Sequence, residues 1–371
     1  MSESLSRRHL LKSGAAAVGA LSLPWQARAQ ERRFEPQPGA WRTFDVTTVV
    51  TVADAKGTTR LWLPVPDVDS DYQRSIDNTW TAPNASSAQL MSDPTRSVRM
   101  LVAEFGPGAG TPALTLTSRV QTRDRAVDWK QPGSVKEDPA LLRANLAPTE
   151  LLPVDGIVRK TALEATRGAR GDVEKVRAIY TWVVTNAYRE PTTRGCGTGD
   201  IKAMLETGNL GGKCADLNAV FVGLCRAVGV PARDVYGVRV APSAFGYQQL
   251  GAGSANLKGA QHCRAEVFLN AYGWVAMDPA DVLKVMRHET PAWLKDAQHP
   301  VVKPVNAGLF GRWEGNWVAW NTAHDITLPR SQGKFTLPFL MYPNGENASG
   351  RFDELSPDTF RYAISAREIT G

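Results

Sequence analysis

The sequence predicts an α+β fold, and three observations carry that reading. Apolar residues recur at helical spacing through much of residues 154–228, strand-like alternation replaces them from about Val230 to Met277, and a separate set of alternating segments occupies 34–128. The chain has 371 residues with 43% hydrophobic and 22% charged, which is ordinary globular composition and enough for two or three domains with a sizeable core.

Residues 1–29 read as an export segment rather than as structure. Arg7 and Arg8 open a basic stretch, Gly14 to Leu23 is short and apolar, and Ala27-Arg28-Ala29 offers small residues for cleavage. Serine before the arginine pair and Leu-Leu-Lys after it resemble a twin-arginine signal, with a plain Sec signal as the alternative. The expected partner during export is therefore the twin-arginine translocase, and the expected address is periplasmic or secreted. The apolar stretch is too short to span a bilayer and no later segment is long enough, so no stable membrane span is expected. Arg7, Arg8, Lys12 and Arg28 against Glu3 account for half of the net charge of +6. What remains is too small to suggest a nucleic-acid partner.

Next comes a β domain over 34–128, with strands expected at "WRTFDVTTVVTV", "TTRLWLPVP", "SVRMLVAEF" and "PALTLTSRVQTRDRAV". Residues 67–97, rich in Pro, Asn and Ser, read as a loop, and the whole as a small sandwich. Residues 129–153 read as a linker with one short helix. The core, 154–290, begins with helices at "LLPVDGIVRKTALEATRG" and "DVEKVRAIYTWVVTNAYRE", where Val176, Ile179, Tyr180 and Val183 share a face. A glycine-rich loop with Cys196 and a short helix at "DIKAMLETG" follow, then the helix that starts at "GGKCADLNAVFVGLC". Strands at "VPARDVYGVRVA", "HCRAEVFL" and "GWVAMD" complete the core, the last two as a hairpin around "NAYG". Residues 291–371 read as a C-terminal β extension.

Cys214 carries the chemistry. It stands where a glycine turn becomes a helix, where unpaired N–H groups and the helix dipole favour a thiolate. A thiol nucleophile needs a base, and the base needs an orienting group. After the export segment the histidines are His262, His288, His299 and His324, and only His262 opens a clear strand with an acid on the next one. That acid is Asp278 or Asp281. Pairing Leu269 with Trp274 would set Asp281 opposite His262, but Pro279 makes regular pairing doubtful, so register leaves both open. The Cys214 backbone N–H is the natural oxyanion donor, with Asn209 as a second candidate. Trp313, Trp317 and Trp320 line a groove or pack as a stripe. Asp216 complements the helix dipole, Cys225 is core, and Cys263 is expected on the sheet face opposite His262. Cys196 stays open as a loop thiol, disulfide partner or cleft wall. There is no CxxC, no zinc-type Cys/His spacing and no acidic calcium loop, so no metal or cofactor is expected.

A glycine-flanked Cys at a helix start, then "VGVPARDVYG", then "QHCRAEVFLNAYGWVAMDPADV" resembles the transglutaminase-like superfamily, most strongly over 171–290. The resemblance implies a papain/transglutaminase-like core with Cys214 as nucleophile, His262 as base and Asp278 as its orienter. It implies a thiol hydrolase or acyltransferase acting on amide bonds of a peptide or protein substrate, or a binding module that reuses the fold. Arg264 departs from the family pattern, which often has an aromatic residue there.

Overall fold

The computed structural model describes residues 32–93, 98–356 and 359–370. The export segment expected at 1–29 lies outside the described residues.

The β region is built from β1 (Arg42–Thr51), β2 (Thr59–Pro64), β3 (Gln73–Thr81), β4 (Ser87–Ser92), β5 (Arg99–Phe105) and β6 (Ala113–Thr122). Strands β3 and β4 correct the expectation of a loop over 67–97. Their solvent-facing positions carry Asn, Asp, Ser and Gln, which masks the alternation. The helices follow: α1 (Pro139–Ala144), α2 (Gly156–Ala165), α3 (Asp172–Asn186), α4 (Ile201–Thr207) and α5 (Cys214–Ala227). Then come β7 (Ala232–Arg239), β8 (Gln261–Leu269), β9 (Gly273–Met277), α6 (Pro279–His288), β10 (Trp317–Asn321), β11 (Asn344–Asn347), β12 (Gly350–Arg351) and β13 (Arg361–Ile369).

Two sheets come from the first six strands and the last three. One has the order β13-β1-β6-β3 and the other β12-β11-β2-β5-β4. Phe44, Val46, Leu114, Leu116 and Val120 share a core with Leu61, Leu63, Leu101 and Ala103. The alternate residues Trp62, Met100 and Val102 face a second core with Ile326, Leu328, Leu337 and Leu340. Period-two alternation thus serves two cores at once, which is why β2 and β5 read as nearly continuous apolar runs. The segment after 291 is no appendage. Its strand β10 extends the second half's sheet, and β11 to β13 complete the sheets begun by the first residues.

The sheet that positions the candidate site has the antiparallel order β9-β8-β7-β10. Helix α5 lies across β8 and β7, and every residue of α5 and of β8 is buried. The hairpin pairs Leu269 with Gly273 and Phe268 with Trp274, one residue away from the register expected. Gly273 takes φ +75° and pairs with Leu269, so the loop has three residues rather than the four that pairing Leu269 with Trp274 would leave. The ladder ends at Met277, because Pro279 has no N–H to donate and instead starts α6. Helix α6 was not foreseen, although Asp-Pro before an apolar run is a start signal.

Candidate active site

Helix α5 begins at Cys214 because its first turn is tied down from two sides. Asp216 accepts the N–H of Lys213 at 3.0 Å and those of Thr198 and Gly199 at 2.9 Å each. The Ala215 N–H donates to the Cys196 carbonyl at 3.0 Å. The glycines are required by this packing. A Cβ on Gly197, which holds φ +94°, would fall 1.8 Å from an Asp216 carboxylate oxygen, and one on Gly212 would fall 2.6 Å from its Cβ. As the first helical residue, Cys214 has no intrahelical acceptor for its N–H.

Strand β8 delivers His262 and the N-terminus of α6 delivers two carboxylates. The His262 Nε2 lies 2.7 Å from an Asp278 oxygen and 3.3 Å from an Asp281 oxygen. With Nε2 occupied, Nδ1 is the ring nitrogen free to serve Cys214. Asp278 caps α6 through the Asp281 N–H at 3.1 Å. Asp281 is held by Arg239 at 2.6 Å. The two acids left open by the sequence therefore share the imidazole, Asp278 at the shorter distance, and Asp281 is also paired with a buried guanidinium.

Three buried thiols meet at this point. Cys263 Sγ lies 3.7 Å from Cys214 Sγ, and Cys196 donates to the Gln261 carbonyl at 3.6 Å. Cys263, expected on the sheet face opposite His262, has its thiol against Cys214, the first residue of α5. All four cysteines are free thiols, and Cys225 is buried in the core. Hydrogen bonding from Cys196 and then Cys263 holds the Cys214 thiol well below its usual range, with His262 adding a hydrogen bond and its charge against the cost of burial. Burial and Arg239 push the His262 imidazole down, but Asp281 and Asp278 more than offset them and raise it to about 9. A thiolate–imidazolium pair is the charge state these shifts favour.

Other residues support the pair, and sequence reasoning missed most of them. Asn218, one turn after Cys214, donates to the Cys263 carbonyl at 2.9 Å and to Asp278 at 3.3 Å, and accepts the Ala280 N–H at 3.3 Å. A fully buried amide in an otherwise apolar helix was the available signal. Arg264 lies behind Asp278 at 3.8 Å with its guanidinium over Trp317 and Trp313, so it faces the support of the site rather than its cleft. Trp317 does not line a groove. It is 1% exposed, and its indole N–H donates to the His262 carbonyl at 3.0 Å. Trp313 and Trp320 are equally buried, which gives the packed stripe. Asn209 does not fit the oxyanion role. It is exposed, its carbonyl oxygen accepts from Tyr188 and Gly211, and it borders a different hollow from Cys214. Four residues between it and the helix start let the chain turn away.

His262, Asp278 and Asp281 offer ligand atoms within 4.8 Å of one another. Arg239 and Arg264 already stand against the two carboxylates, and their charge opposes a cation there. Among the described residues no helix is long and apolar enough to cross a membrane.

Residues 159–279 match the family model of the transglutaminase-like superfamily. The chain is 30% identical over 342 residues to an uncharacterized protein of Haemophilus influenzae, covering 88% of this chain and 90% of that one. It is similar to a structure from Cytophaga hutchinsonii described as a candidate cysteine protease, at 16% identity and a TM-score of 0.49, over 89% and 99% of the two chains. It is also similar to the periplasmic domain of TgpA from Pseudomonas aeruginosa, at 14% identity and a TM-score of 0.33, over 74% and 98%. With its α+β core of helices laid on an antiparallel sheet and the family match spanning Cys214, His262 and Asp278, the chain belongs to the transglutaminase-like superfamily.

Proposed function

We propose that the chain is an exported cysteine hydrolase of amide bonds in peptides or proteins. In this reading the Cys214 thiolate attacks the carbonyl, with the Cys214 N–H facing the oxyanion. His262, oriented by Asp278, protonates the leaving amine, and water then resolves the thioester. The observation that carries it is the Nε2 contact of His262 with Asp278 at 2.7 Å beside a thiol whose pKa its neighbours draw well below the usual range.

Hydrolysis is favoured over transfer to an amine because the site has nothing with which to gather an ammonium group. The two acids nearest in sequence are both engaged: Asp216 by three backbone N–H groups, and Glu266 by Arg125 and Arg233. Water at ~55 M then wins unless a second pocket excludes it. The test supplies a turned-over peptide with excess labelled primary amine. Free acid as the main product, and no product from Cys214→Ala, is expected. Label in most of the product replaces the hydrolase by a transferase. Loss of neither activity in Cys214→Ala overturns the nucleophile. Export rests on Arg7 and Arg8, and changing both to lysine is the corresponding check.

A further inference from the structure

The cleft that holds Cys214 and His262 has a volume of about 320 Å³, and its remaining charged lining is Arg189, Arg239 and Lys284. No acid is among the lining residues. Arg239 has its partner in Asp281. The other two cations make no ion pair among the described residues, although the charge of Asp281 also reaches Lys284. Lys284, on α6 one turn beyond Asp281, donates to the Gln249 carbonyl at 2.7 Å and has no carboxylate within ion-pair distance. The Arg189 Nε is buried without any acceptor. Further positive charge stands behind them. Lys213 is shifted down by burial and then by Arg189, and His288 by burial and then by Arg189, Arg287, Lys284 and Lys213. Burial, Arg239 and Arg189 bring Lys284 down to about 8 against the opposing charges of Asp281 and Cys214. Glu190, the carboxylate whose charge reaches Arg287 and Lys213, is turned to the Thr192 hydroxyl and N–H.

Like charges gathered in a concave, partly dry site repel one another, and an unpaired guanidinium nitrogen there is costly. An anionic ligand relieves both. We propose that Lys284 and Arg189 form a carboxylate subsite beside Cys214, so that the cleft selects acyl donors with a carboxylate next to the scissile carbonyl, whether a chain terminus or an acidic side chain. This rests on the reading of Cys214 as nucleophile. It also explains why an ammonium acceptor is disfavoured, since the same field repels it.

Two measurements on the full chain separate the subsite from the nucleophile. In the first, Cys214 is alkylated with iodoacetate and with iodoacetamide, and the ratio of rates is compared with that of a small model thiol. A ratio about 10-fold above the model thiol is expected from focusing by the cleft, falling several-fold in Lys284→Met and in Arg189→Gln and recovering in Lys284→Arg. A ratio at or below the model thiol, or one that neither variant lowers, overturns the subsite. In the second, the Cys214→Ala chain is melted with N-acetyl-alanyl-alanine, with N-acetyl-alanyl-glutamate amidated only at its α-carboxyl so that the side-chain carboxylate is free, or with N-acetyl-alanyl-alaninamide. A rise in Tm with either anionic peptide and none with the neutral one supports the subsite, and which of the two acts names the source of the carboxylate. Equal shifts with all three, or none with any, overturn it. Failure of iodoacetamide to label Cys214 sinks the nucleophile reading alone, since the melting series does not use the thiol.

Discussion

At the scale of single residues, the site turns on two carboxylates that the sequence leaves as alternatives. Asp278 makes the shorter contact with the imidazole, at 2.7 Å against 3.3 Å for Asp281, while Asp281 alone pairs with Arg239 at 2.6 Å, so their removal reads out differently. Asp278→Asn keeps the shape but not the charge that orients and stabilises the imidazolium. A loss of kcat on the order of 10³–10⁴-fold is expected. Asp281→Asn leaves Arg239 uncompensated where both side chains are 2% exposed, at a cost of roughly 3–5 kcal/mol. Its signature is a lower Tm. If thermal unfolding shows Asp278→Asn to be the less stable and kinetics show Asp281→Asn to be the less active, the assignments are reversed. The pH dependence follows from His262, whose value rises from 6.5 unfolded to about 9 folded. A raised base binds its proton more tightly when folded. Its stabilising contribution is therefore complete below about 6.5 and is lost as pH rises through about 9. The stability difference between the wild-type chain and His262→Ala should shrink across that window. A difference that grows there contradicts the ion pair.

At the scale of elements, what the sequence disclosed depended on whether one physical rule acted alone. The start of α5 was legible because Gly211, Gly212 and an apolar run obey the same local rule, and because α3 and α4 show clean helical spacing. Strands β7, β8 and β9 were legible from alternation and from Pro231 and Gly273 at their ends. Strands β3 and β4 were not, since one side of each faces solvent and carries turn-forming residues. Helix α6 was hidden by Asp278, which serves as both the end of a strand pattern and a helix cap. The one-residue error in the hairpin came from the φ of Gly273, a backbone property with no side-chain signature. The site was legible in part for the same reason. Cys214, His262 and Asp278 occupy local motifs, whereas Asn218, Arg239, Cys196 and Cys263 acquire their roles only when elements distant in sequence meet. Trp317 and Asn209 show the converse. Each had a suitable functional group, but packing turned one inward and a loop carried the other away.

At the scale of the whole molecule, the sequence divides into β, core and β segments, while the described chain from Arg32 onward behaves as one compact unit. The reason is strand order. Strand β13 pairs along the full length of β1, and β11 pairs with β2, so the first sheets are finished by the last residues. Strand β10 pairs with β7 beside β8, so the sheet that carries His262 is also finished from beyond residue 290. Phe360 and Ile364 are buried in the shared core, and Lys258, in the segment that lines the Cys214 cleft, sits over the Tyr362 ring at 4.9 Å. A fragment ending at residue 290 would leave β1, β2 and β7 with unpaired edges and would strip the apolar partners from both cores. It would retain Cys214, His262 and Asp278. If the core, matched by the family model over 159–279, folded by itself, that fragment would melt in one sharp transition and its Cys214 would be alkylated at the rate of the full chain. The strand order predicts the opposite: aggregation or a broad, non-cooperative transition, with the low-pH thiol reactivity of Cys214 lost because the sheet that holds His262 is no longer closed. Calorimetry of the fragment and the full chain, with iodoacetamide kinetics at pH 6 on both, decides between the two. A sharp transition together with intact reactivity would show that β10 to β13 decorate the core instead of completing it.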